Sequence, residues 1–250
     1  MRTAFRVGLS VWAVSGVLAL DSATAWADAA GDKVLAAMDE AMNRAQTQYF
    51  EYDVQNQTPG KPESRVALIV RSKGEKRLTE FTAPADMKGS KVLTLSPTET
   101  YVYLPALGKV RRIANTEADE NFMGMTFSPN DFQSHFGSRY VATVLSDTQT
   151  QVRISATPKA GQQTSHAKIE FTIAKDKMVP LERKYFNVAG TNVKTETLSN
   201  YTCQGNVCGA SELLMVNNTK GGARTKMVRK VWRVNENMSD DLFSKRSLAK

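Results

Sequence analysis

From Tyr49 to Val234 apolar residues return at every second position over run after run, and this period constrains the fold more than any other property of the chain. Successive side chains on an extended strand point to opposite faces, so such a pattern builds half-buried strands rather than helices. Val66, Leu68 and Val70 share one face with Ala67 and Ile69 on the other, Lys73-Gly74-Glu75 supplies a turn, and residues 77–81 return alongside. Val152 and Ile154 alternate with Gln151, Arg153 and Ser155, and Ile169, Phe171 and Ile173 alternate with Lys168, Glu170 and Thr172, which makes one face wet and the other buried. Further strands are expected over 92–95, 101–104, 110–113, 140–145, 181–188, 193–201, 212–216 and 225–234. About a dozen strands with no long linker or repeat read as one large antiparallel sheet, a mainly β fold in a single domain over residues 28–250. A sheet of that size curls, and unless it closes fully its concave face needs an apolar cover. Two covers are available: a helix capped by Asp32, with Val34, Leu35, Met38, Ala41, Met42 and Ala45 on one stripe, and the loop 114–136.

The N-terminus gives an address. Arg2 and Arg6 precede an apolar run from Val7 to Leu20, and Ala25-Trp26-Ala27 places small residues where a signal peptidase reads, so cleavage is expected between Ala27 and Asp28. The run of about 14 residues is short of the ~20 that a spanning helix needs. Export to the periplasm follows as the expectation. Removing residues 1–27 takes away Arg2, Arg6 and Asp21 and lowers the net charge from +8 to +7. Such an excess favours an anionic partner, and in that compartment a membrane surface fits better than nucleic acid. Cys203 and Cys208, the only two cysteines, flank a turn-forming Gly205-Asn206, and in an oxidising compartment they are expected to pair across a hairpin.

The stretch 81–132 is the least generic part of the chain. It holds turns at Ser96-Pro97-Thr98 and Pro105-Ala106-Leu107-Gly108, a basic trio (Lys109, Arg111, Arg112), the acidic run Glu117-Ala118-Asp119-Glu120 and an apolar loop, Phe122-Met123-Gly124-Met125. The run YVYLPALGKVRRI, followed by NFMGMTFSPNDF, resembles the signature of the LolA-like outer-membrane lipoprotein-sorting family, in the subgroup associated with RND-type exporters. KVWRVNENMSDDLFSKRSL resembles that family's closing motif, so the likeness spans about residues 50 to 248. It implies an open half-barrel with helices across its mouth, whose concave face shelters acyl chains. One departure stands out: Met125 and Thr126 occupy the place after FMG where the family usually carries an acidic residue.

No catalytic or cofactor chemistry is legible. Two histidines, His135 and His166, without clustered Cys or carboxylates are too few for a metal centre, and no cofactor is expected. Ser165-His166-Ala167-Lys168 matches a Ser-x-x-Lys pattern, but on a strand residues three apart face opposite ways. Asp131, Ser134 and His135 form no convincing triad, and the acids at 117, 119 and 120 read as a solvated face. Binding is the remaining class. Candidate ligand residues are Val66, Leu68, Val70, Leu93 and Leu95 as apolar wall, Tyr101 and Tyr103 as either core or aromatic wall, Arg112 at the rim, and Phe122 and Met123 at the mouth. The leading reading is a carrier of lipid or lipoprotein acyl chains; the alternative is an accessory module that docks on an RND-type exporter or envelope assembly with its hollow filled by its own side chains.

Overall fold

A computed structural model describes residues 22–114 and 123–249. The alternating runs form thirteen strands: β1 (Thr47–Gln57), β2 (Ser64–Lys73), β3 (Lys76–Ala83), β4 (Lys91–Ser96), β5 (Glu99–Leu104), β6 (Lys109–Ile113), β7 (Tyr140–Asp147), β8 (Gln151–Pro158), β9 (Lys168–Ala174), β10 (Val179–Phe186), β11 (Asn192–Gln204), β12 (Val207–Asn217) and β13 (Arg224–Val234). They make one open antiparallel sheet in the order β6-β5-β4-β3-β2-β1-β13-β12-β11-β10-β9-β8-β7. Two meanders therefore meet at a central seam, where β1 pairs with β13 from Gln48↔Val234 to Gln57↔Arg224. The chain leaves the first meander at one sheet edge, β6, and starts the second at the other, β7. Residues 123–139 of that connection lie across the concave face as a strap.

The main core lies on this concave face. It joins Leu35 and Met38 to inward residues of both meanders, among them Val54, Leu68, Phe81, Ile154, Phe171 and Met227, with Met125 and Phe127 of the strap and Phe136 beyond them. The helix α1 (Ser22–Met42) supplies the other cover. Its stripe packs as the spacing predicts, with Leu35, Met38 and Ala41 buried. It begins at Ser22, well before the Asp32 cap predicts, and Asp32 instead bonds to the sheet, where its Oδ1 accepts the Ala142 amide of edge strand β7 at 2.7 Å. One residue before it, Gly31 lies so close that an added Cβ would be 2.0 Å from the Ala142 carbonyl oxygen. A polar side chain and a missing one together let a helix lie on a strand edge.

A second cluster occupies the convex face. Leu78, Leu93 and Tyr101 pack under Met238, Phe243 and Leu248, the last of these in a short C-terminal helix, α2 (Lys245–Leu248). Register shows why the faces separate. Val70 pairs with Thr79, Thr79 with Val92 and Val92 with Val102, whereas Leu78 pairs with Leu93 and Leu93 with Tyr101, one position out of phase. Cys203 and Cys208 pair across the β11–β12 hairpin, whose two-residue turn places Gly205 at a φ of 60°, and form a disulfide.

Candidate functional site

The strap is fastened by polar groups sunk in the sheet. The Thr126 amide donates to Thr225 Oγ1 at 2.7 Å, and that hydroxyl donates to Asn56 Oδ1 at 2.7 Å. In the SPND turn, Asp131 Oδ2 accepts the Ser128 amide and the Lys194 ammonium, at 2.7 and 2.8 Å. His166 Nε2 stands 3.5 Å from Asp131 Oδ1, and its ring lies 4.7 Å from that of Tyr185. Burial alone would raise the Asp131 pKa, but His166 and Lys194 outweigh it and hold the carboxyl below its ordinary range. Farther along, Asn43 Nδ2 donates to the Ser134 carbonyl at 2.6 Å, and the Gly137 amide donates to Asp39 Oδ2 at 2.6 Å, tying the strap to the end of α1.

Between these covers and the sheet a hollow of about 210 Å³ stays unfilled. Phe50 and Tyr52 of β1, Val70 of β2, Leu198 of β11 and Leu213 of β12 form its apolar wall; Met42, Asn43 and residues 132–135 form its rim. Phe50 stacks on Tyr52 at 5.6 Å and on Trp232 at 6.3 Å. Charges point into it as well. Arg183 and Glu196, opposite one another across β10 and β11, form a buried ion pair at 3.2 Å, and the Tyr185 hydroxyl donates to the same carboxylate at 2.8 Å. Burial pushes the Glu196 pKa up despite both partners. Arg77 of β3 and Arg229 of β13 also reach the hollow. Arg77 donates to the Phe132 carbonyl, and burial pushes its pKa down to about 10. Arg229 donates to Thr202 Oγ1 and lies 4.2 Å over the Trp232 ring, while its Nη1 is buried without a hydrogen-bond partner. Gly209 makes room for it, since a Cβ there would sit 3.0 Å from that nitrogen.

The candidate residues read from sequence divide accordingly. Val66, Leu68 and Val70 lie on the concave face as one row, and Val70 lines the hollow. Leu93, Leu95, Tyr101 and Tyr103 do not continue that row: they pack on the convex cluster under the C-terminal cap, because the β3–β4–β5 register puts Val92 and Val102 inward instead. Arg112 is on the convex side too, paired in register with Tyr101 and donating to the Thr98 carbonyl at 3.1 Å. Met123 packs against the main core, and Phe122 lies outside the described residues, as does the acidic run at 117–120. His166 sits in the loop before β9 rather than on the strand; Ser165 accepts from Asn130 Nδ2 while Lys168 pairs with Glu170, so the Ser-x-x-Lys match is coincidental. Sequence reasoning missed Arg77, Arg183, Glu196 and Arg229, whose signal was charge at inward positions.

Solved structures share this arrangement of sheet and covers. A domain from Vibrio parahaemolyticus, described as a candidate outer-membrane lipoprotein-sorting protein, superposes with a TM-score of 0.82 at 22% identity, covering 89% of this chain and 100% of that one. A DUF1329 family protein from Desulfovibrio piger gives 0.81 at 22% identity over 89% and 99%. A LolA superfamily protein from Nitrosomonas europaea gives 0.73 at 16% identity over 87% and 98%. No curated protein matches the chain. Residues 73–250 match the model of a family described as "-like: Uncharacterized protein". The chain belongs to that family, and its fold is the LolA-like open sheet of the lipoprotein-sorting and DUF1329 structures.

Proposed function

We propose that the protein is an exported, non-catalytic carrier that shelters an acyl chain of a lipid or lipoprotein in the concave hollow. The observation that carries this reading is the unfilled space itself, walled by Phe50, Val70, Leu198 and Leu213 in a LolA-like sheet whose core is otherwise packed. At about 210 Å³ it falls below the roughly 300–1,000 Å³ of pockets that enclose drug-sized ligands, so it suits one narrow chain better than a rigid multi-ring compound. Native mass spectrometry of protein purified from its own envelope is expected to show an amphiphile that organic extraction releases. Empty protein that also ignores added amphiphiles would favour the docking module on an RND-type exporter, a reading that rests on sequence resemblance alone.

Export is part of the proposal. Among the described residues no helix is long and apolar enough to cross a membrane. Amino-terminal sequencing of the exported form is expected to begin at Asp28, and retention of residues 1–27 would overturn the cleaved signal. Cleavage would leave Trp232, beside Phe50, as the sole tryptophan of the mature chain and a reporter for the hollow.

A further inference from the structure

The charges that line the hollow do not cancel. Asp131 is matched by Lys194 and Glu196 by Arg183, at 2.8 and 3.2 Å. Arg77 and Arg229 are left over: among the described residues neither has a carboxylate partner, although both reach the same space. Tyr52 pairs with Arg229 across the β1–β13 seam and lines the same hollow as Arg77. Both side chains are half-buried, which weakens their hydration without supplying a counter-ion, and a buried donor such as Arg229 Nη1 costs a further desolvation penalty unless something accepts from it. Gly209 keeps the space that this guanidinium needs. The hollow thus has an apolar wall and, beside it, two half-buried positive charges without a carboxylate partner.

We infer that the cargo is an anionic amphiphile, its carboxylate or phosphate held by Arg77 and Arg229 beside Tyr52, its chain laid along Phe50, Val70, Leu198 and Leu213. An oxyanion supplies what both arginines lack, a counter-ion, and can accept from the unpartnered Arg229 Nη1 as well. Arg112, the rim cation suggested by sequence, faces away and cannot contribute to this site. The inference rests on the carrier reading and narrows it from any acyl chain to one with an anionic end.

The test titrates mature protein with four ligands of one chain length, followed by Trp232 emission: a fatty acid, a lysophosphatidic acid, a zwitterionic lysophosphatidylcholine and a neutral monoacylglycerol. The two anions are expected to bind roughly tenfold or more tightly than the neutral ligand, and the fatty acid against the lysophosphatidic acid tells carboxylate from phosphate. Arg77→Gln and Arg229→Gln should each remove most of that preference and leave the monoacylglycerol within about twofold, with Arg77→Lys restoring part of it. Thermal melts of each variant separate lost binding from lost folding. Equal affinity for charged and neutral ligands overturns the anionic end and leaves the carrier standing, and a preference untouched in both glutamine variants overturns the placing of that end on Arg77 and Arg229. No response to any of the four overturns both.

Discussion

At the scale of single residues, the fastening of the strap depends on Asp131. Its side chain is wholly buried and Lys194 is nearly so, so Asp131→Asn would strand an ammonium in the core. The expected loss is about 3–5 kcal/mol in urea unfolding at neutral pH. Because the native carboxyl sits below its ordinary value, its contribution is full above the unfolded pKa of about 3.9 and fades as pH falls through the lower native one. Wild type and variant should therefore converge on acidification below about pH 4. A gap that stays constant down to pH 2 would assign the loss to packing instead.

At the scale of elements, the docking of α1 on β7 turns on Gly31. Alanine at a helical glycine ordinarily stabilises by up to about 1 kcal/mol, yet here its methyl would meet the backbone of Ala142. Gly31→Ala is expected to destabilise by about 1–3 kcal/mol in thermal unfolding, and a raised Tm would show that the helix can lift away at no cost. Strands such as β8 and β9 were legible because their inward residues, Val152, Ile154, Ile169, Phe171 and Ile173, are all apolar. In β11 the same period misleads: Val193, Thr195 and Thr197 suggest one strand face, but Lys194, Glu196 and Leu198 are the buried set. Charges turned inward are invisible to a hydrophobic period, and only register with β10, which sets Arg183 opposite Glu196, explains them. The site was missed for this reason. The convex cluster was missed for another: Leu93, Tyr101 and Tyr103 look like a continued wall until the out-of-phase pairing and the cap at 238–248 assign them outward.

At the scale of the whole molecule, the central seam sets the order in which the sheet can be completed. Every other strand pair joins neighbours in sequence, closed by a local turn, whereas β1 and β13 pair residues as distant as Gln48 and Val234. Loop-closure entropy delays such pairing until the local hairpins exist. Val54→Ala, on β1 opposite Met227, is accordingly expected to speed unfolding and leave the refolding rate within about twofold; slowing of refolding in proportion to the lost stability would place the seam in the nucleus. The same topology bears on how the protein is made. A chain that emerges N-terminus first can finish the β1–β6 meander early, but β1 then keeps a bare hydrogen-bonding edge, and the apolar concave surface stays uncovered on its β13 side until Arg224 and the residues after it are out. For that interval the half-made sheet offers the kind of edge that recruits foreign strands, so the last strand of the chain is also its protection against aggregation.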